Sequence, residues 1–255
     1  SWIALDKNTG ELLGEDGSGA SASSLHAAWS SLTYGKVGGK DMLIWGGTDG
    51  FCYGYSTKTE KDADGYDLFN PLWKVDCNEP HYRKDKSGKK VPYATPPGPS
   101  ELIGTPVLYD GKVYCAIGQD PEHGDGVGRL SCLDAKTGKV LWKNTDIGRT
   151  ISTVSVADDL VYVAEYAGIV HCLDAITGKV YWTHDSFSRI WGSTLVVDGK
   201  LLLGNEDGDL LILDHGKKKP KVQMVGMGAP VYSSPVFVNG TLYIATQTHL
   251  YAIGK

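Results

Sequence analysis

Short runs in which apolar and polar residues alternate, each closed by a tight-turn dipeptide, fill most of this 255-residue chain. Near its end, Ser233 to Val238 reads as one strand, Asn239-Gly240 as the turn, Thr241 to Thr246 as a second strand and Leu250 to Ile253 as a third. The pairs Asp110-Gly111, Asp198-Gly199 and Asn239-Gly240 supply the positive φ that two-residue hairpins need, so consecutive strands are predicted to be antiparallel.

The pattern repeats. Cys132-Leu133-Asp134-Ala135-Lys136-Thr137-Gly138-Lys139-Val140-Leu141-Trp142 returns forty residues later as Cys172-Leu173-Asp174-Ala175-Ile176-Thr177-Gly178-Lys179-Val180-Tyr181-Trp182. Copies of its start recur at Ala4, Gly54, Ile212 and Ala252. A period near forty residues with several strand-sized runs predicts an all-β chain folded as a β-propeller of four-stranded antiparallel blades. About six repeats are present, the first one partial, at approximately 1–14, 26–75, 101–144, 149–184, 189–225 and 229–255, with 76–100 an inserted loop. Each complete copy opens with one bulky and two small residues: Trp29-Ser30-Ser31, Ile103-Gly104-Thr105, Ile151-Ser152-Thr153, Trp191-Gly192-Ser193 and Tyr232-Ser233-Ser234. Small side chains are expected where innermost strands crowd around a central axis. The chain opens and closes on a third strand, so the expectation is part of a seven- or eight-bladed ring. Upstream residues or another chain would then cover the exposed strand edges and close it.

Composition narrows the function. A net charge of −5 gives no general attraction for nucleic acid or anionic membrane, and no apolar run approaches the roughly 20 residues of a membrane-spanning helix. The five cysteines, Cys52, Cys77, Cys115, Cys132 and Cys172, lack any C-x-x-C spacing for structural zinc; an odd number excludes a complete disulfide framework. Cys132 and Cys172 share one repeat position and read as small buried hydrophobes. No Ser-His-Asp order, phosphate-cradling glycine loop or H-E-x-x-H motif is present, and no catalytic residue is assigned.

The segment Cys172-Leu173-Asp174-Ala175-x-Thr177-Gly178-Lys179-Val180-Tyr181-Trp182 resembles the A-x-D-x-x-T-G-K-x-x-W repeat of the PQQ-like propeller family, and the resemblance covers nearly the whole chain. That family includes quinoprotein dehydrogenases and the propeller lipoprotein of the outer-membrane β-barrel assembly machinery. The resemblance implies that Trp73, Trp142 and Trp182 dock between neighbouring blades. Blades one and five carry Leu13-Gly14 and Lys221-Val222 there, which implies weaker seams. It also implies a bacterial, periplasmic or otherwise extracytoplasmic, non-catalytic scaffold that binds another protein or a polar ligand and needs no cofactor. The alternative it implies is a fragment of a dehydrogenase that oxidises alcohols or sugars with PQQ and calcium. Those enzymes use adjacent cysteines, a calcium site and an aspartate base, none of which can be assigned to matching motifs here.

Candidate ligand-binding residues follow from topology. The turns after each second strand gather on one face, at Thr48-Asp49, Gln119-Asp120, Glu165-Tyr166, Glu206-Asp207 and Gln247-Thr248. His26, Arg149 and Arg189 lie just before the inner strands and approach the same mouth. Together His26, Arg149, Glu165, Arg189, Trp191, Glu206, Asp207 and Gln247 form the expected polar pocket. Asp120, Glu122 and Asp125, in the enlarged turn of blade three, are carboxylates that can ligate calcium, or simply solvate a polar turn. Arg83-Lys84-Asp85-Lys86-Ser87-Gly88-Lys89-Lys90 is a basic run that would suit an acidic partner or a solvated hairpin tip.

Overall fold

The computed structural model describes residues 2–24, 28–92, 95 and 98–254, and its regular elements are β-strands apart from three one-turn 3₁₀ segments. The all-β class expected from the repeat holds. Strands β1 (Ile3–Leu5) and β2 (Leu12–Asp16) come from the first copy. Blade two consists of β3 (Thr33–Val37), β4 (Lys40–Gly46) and β5 (Phe51–Ser56); then, after β6 (Glu60–Lys61) and β7 (Asp67–Phe69), β8 (Pro71–Asp76) completes it. Blade three is β9 (Val107–Tyr109), β10 (Lys112–Ile117), β11 (Arg129–Asp134) and β12 (Val140–Asn144). Blade four is β13 (Ser155–Ala157), β14 (Leu160–Ala164), β15 (Ile169–Asp174) and β16 (Val180–Asp185). Blade five is β17 (Leu195–Val197), β18 (Lys200–Gly204), β19 (Asp209–Asp214) and β20 (Val222–Gly226), and blade six has three strands, β21 (Val236–Val238), β22 (Thr241–Ala245) and β23 (Leu250–Gly254).

The Asp-x-x-Thr-Gly signature builds the turn between third and fourth strands. Asp174 Oδ1 accepts the backbone N–H of Thr177 at 2.8 Å and its hydroxyl at 2.9 Å, and Gly178 then takes φ +73°. Bulges follow, so that Cys132 stands opposite Trp142, Cys172 opposite Trp182 and Gly54 opposite Trp73. A small residue there gives the indole room to lie across its own sheet. A Cβ on Gly54 would come 2.1 Å from the ring.

From that position each indole reaches the next blade. Nε1–H of Trp73 donates to the Ala135 carbonyl at 3.0 Å, that of Trp142 to Ala175 at 3.0 Å, and that of Trp182 to Gly216 at 2.8 Å. Blade five has Gln223 at this register, opposite Ile212, one residue beyond the Lys221-Val222 position read from the sequence, because its ladder runs on without a bulge. In the first sheet Gly14 stands opposite Ala4, and the ring of Phe69 lies against it, where a Cβ would meet Phe69 at 2.8 Å. Phe69 belongs to the β6–β7 hairpin, which joins β2 edge-on through the parallel pairs Glu15↔Leu68 and Asp16↔Phe69. Blade two therefore lends a hairpin to the first sheet.

The small-residue triplets lie ahead of the inner strands; β21 starts at Val236 instead of Ser233. Their amides are used sideways, between blades. The N–H of Ser31 donates to Thr105 Oγ1 at 3.1 Å, Thr105 to Thr153 Oγ1 at 2.9 Å, Thr153 to Ser193 Oγ at 2.9 Å and Ser193 to Ser234 Oγ at 2.7 Å. These bonds form a belt from blade two to blade six. Apolar cores fill the seams, such as Leu160, Cys172, Trp182 and Ile190 against Leu201, Leu203 and Leu213 between blades four and five.

Candidate functional site

The 2–3 turns are tied to the residues that precede the inner triplets. Tyr166 N–H donates to the Arg149 carbonyl at 2.8 Å, Glu206 to Arg189 at 2.9 Å and Gln247 to Pro230 at 3.0 Å. This repeated tie draws Arg149, Arg189, Trp191 and Glu206 together. The Arg149 guanidinium lies 4.3 Å above the Tyr166 ring, with Arg189 at 5.5 Å. Trp191 meets Tyr166 edge-on at 5.0 Å and Tyr232 at 5.5 Å, and its indole N–H donates to Glu206 Oε2 at 3.3 Å. Arg189 lies 3.8 Å from that oxygen and is largely exposed. Arg149 also donates to the Gly124 carbonyl at 2.7 Å, fastening the enlarged blade-three turn to this face.

Other expected members of the pocket sit differently. Glu165 pairs with His171 within blade four at 2.6 Å, both side chains nearly buried. Asp207 and Gln247 are exposed at the rim; the Asp207 N–H donates to Ser188 Oγ at 3.1 Å. His26 lies outside the described residues. Tyr166 and Tyr232 were not singled out in the sequence, although Tyr232 opens an inner triplet as Trp191 does. Asp120 caps the 3₁₀ turn Pro121–His123 by accepting the Glu122 N–H at 3.1 Å, and its Oδ1 lies 2.8 Å from His123 Nδ1. Among the described residues no group of three or more His, Cys, Asp and Glu side chains is disposed to hold a metal ion, Glu122 and Asp125 included. The five cysteines are free and buried. Cys77 and Cys115 approach to 3.6 Å, and burial pushes the Cys132 and Cys172 thiols up to about 11.

A second grouping lies under the 76–100 loop and shares no residue with the expected pocket. A cavity of about 750 Å³ has Phe51 and Tyr53 of β5 on its floor and Lys74, Arg83, Lys84 and Lys90 around it. Lys74 Nζ stands 4.7 Å over the Phe51 ring and Arg83 4.8 Å over the same ring. Arg83 grips Asp76 through two bonds, at 2.9 and 2.6 Å, and donates to the Asp49 carbonyl at 2.8 Å. Burial holds the Asp49 carboxyl above its ordinary range, against the hydrogen bonds it accepts from the Tyr53 hydroxyl and the Phe51 N–H. Asn78 and Ser100 latch the loop ends, each donating to the other at 2.8 Å. A second cavity of about 550 Å³ shares Asp76, Arg83 and Lys84 and runs on to Arg129 and Lys143. Glu79 binds both of those cations, at 3.0 and 2.6 Å, and the Lys143 bond chiefly holds its carboxyl below the usual range. The basic run was visible in the sequence. Its floor was not, because Phe51 and Lys74 come from strands outside the loop.

A family model described as outer membrane protein assembly factor BamB matches residues 126–254, just over half of the chain. The chain belongs to the BamB family. Among solved structures, this BamB-family chain resembles BamB from Moraxella catarrhalis at 15% identity and a TM-score of 0.67, over 98% of this chain and 65% of that one. It therefore spans just under two thirds of that relative's length. A chain of a mitotic checkpoint complex matches at 12% identity and a TM-score of 0.59, over 88% of this chain and 61% of that one. At such identities these likenesses concern the fold alone. A quinohemoprotein alcohol dehydrogenase from Comamonas testosteroni aligns with 57% of this chain and 29% of its own, at 20% identity and a TM-score of 0.45, too loosely to bear on function. Comparison with curated protein sequences returns no match. No helix among the described residues is long and apolar enough to cross a membrane.

Proposed function

We propose that this BamB-family propeller is a non-catalytic scaffold that works outside the cytoplasm and grips a partner protein with the mouth of blades four to six. One observation carries the reading: the Arg149, Tyr166, Arg189, Trp191 and Tyr232 cluster on the 2–3 turn face. Tryptophan, tyrosine and arginine are the residue types that dominate binding energy at protein interfaces, since they bury large area at small entropic cost. Here they are held in place by backbone ties and mutual ring contacts, so little ordering remains to be done when a partner arrives. Membership of a family described as an assembly factor supports a protein as the occupant.

The reading is tested by placing a photo-crosslinking residue at Arg189 in the native host, with Lys136 on the 3–4 turn face as control. A discrete partner is expected at Arg189 and not at Lys136. Trp191→Ala should weaken that purified partner's binding by about 2 kcal/mol or more while leaving thermal unfolding nearly unchanged. Equal crosslinking at both faces, or undiminished affinity of Trp191→Ala, would refute the mouth as the contact face. Dye-linked oxidation of an alcohol after addition of PQQ and calcium would refute the non-catalytic assignment.

A further inference from the structure

The groove under the 76–100 loop carries lysines that no carboxylate of the described residues pairs in an ion bridge. Arg83 is spent on Asp76, and Arg129 and Lys143 on Glu79. Lys74, Lys84 and Lys90 line the cavity with no ion pair among the described residues; Lys74 lies over the Phe51 and Tyr53 rings, and the lining also holds Asp49 and the Arg83-bound Asp76. Lys84 and Lys90 are moreover directly opposite one another, joined by an isolated antiparallel bridge. Like charges so placed repel and destabilise a hairpin. On a chain of net charge −5, such a concentration of cations attracts an anion locally.

The floor adds a second requirement. Phe51 below, with Val91 and Pro92 around the wall, gives the cavity an apolar surface that a bare inorganic anion would leave uncovered. The two adjoining cavities, of about 750 and 550 Å³, each match the volume of a drug-sized pocket and meet at Asp76, Arg83 and Lys84. An occupant must therefore be elongated, acidic and intermittently apolar. We infer that this groove binds an extended acidic peptide segment, whose carboxylates meet Lys74, Lys84 and Lys90 while its apolar side chains rest on the accessible part of Phe51 and on Val91 and Pro92. The inference rests on the scaffold reading only in taking the occupant to be protein, and it adds a second contact distinct from the mouth.

The test is fluorescence anisotropy with a short dye-labelled peptide in which Glu alternates with Leu. Saturable binding is expected at low salt, weakening as salt screens the lysines. Lys84→Gln/Lys90→Gln should weaken it about tenfold, and Lys74→Gln should weaken it as well. Trp191→Ala at the mouth should leave it unchanged, which separates failure of the groove from failure of the mouth. The double variant should unfold at the same temperature or a higher one, since it relieves a repulsion. Binding that is indifferent to all three lysines, or equal for a peptide with Gln in place of Glu, would overturn the inference. So would lysine-dependent binding of phosphatidylglycerol vesicles, or of inorganic phosphate, in the absence of peptide binding.

Discussion

At Asp174 a single carboxylate takes the N–H and hydroxyl of Thr177 and, through Oδ2, the phenol of Tyr181 at 2.7 Å. These bonds, the Tyr181 one foremost, depress its pKa to about 2, below the unfolded value near 3.9. The stability gained is fully present above about pH 4 and is lost as pH falls toward 2. Tyr181→Phe should therefore destabilise the protein near neutrality, and the deficit should shrink on acidification through that window, as read by urea unfolding at a series of pH values. A deficit that does not change with pH would mean that the phenol acts through packing and not through the carboxylate. The Asp-x-x-Thr-Gly signature names Asp174 and Thr177 in the sequence, whereas the foremost donor, the Tyr181 phenol, lies outside it. The pairing of Glu165 was not legible there: its spacing placed it at the mouth, but only the cross-strand neighbour relation within blade four shows that His171 claims it.

Individual strands and turns divide the same way. The forty-residue repeat located the hairpins of blades three to five because turn chemistry is local, and the opposed Cys172–Trp182 pair depends on residues close in sequence. The β6–β7 hairpin is not legible as part of the first sheet because its pairing with β2 is non-local. Its trace in the sequence is the spacing of nineteen residues from Gly54 to Trp73, against ten from Cys132 to Trp142. The sequence places the triplets in the inner strands because small side chains are expected where those strands crowd around the axis. Their amides instead bond to hydroxyls on the neighbouring blade, a choice that no single repeat encodes. The seam tryptophans permit a direct measurement. Trp182 is almost fully buried, and Trp182→Ala should cost about 3–5 kcal/mol of unfolding free energy, through lost packing and the loss of its bond to Gly216. A cost below about 1 kcal/mol would mean that the indole is not docked in the seam.

For the molecule as a whole, the five cysteines report on integrity. Four lie in blades two to four and Cys77 just after blade two, and all are buried. With the Cys132 and Cys172 thiols at about 11, neither is ionised at neutral pH, so an aromatic disulfide reagent should label almost nothing in the native state. All five thiols should react once the chain unfolds in urea, and rapid native labelling of any one would reveal a blade that opens by itself. Both candidate contact regions arise at this scale. The mouth assembles residues from blades four, five and six, and the basic groove unites blade two with the loop that follows it.

The tryptophan joints have one more consequence. Each indole addresses a main-chain oxygen, at Ala135, Ala175 or Gly216, and never a side chain. Every peptide unit carries such an oxygen, so a joint of this kind makes no demand on the chemistry of its receiving residue beyond small size. A gene segment encoding one blade is thus compatible with its own copy placed alongside, without matched changes on either side. Expansion of the array by duplication, still visible in the near-identity of residues 132–142 and 172–182, follows from that indifference.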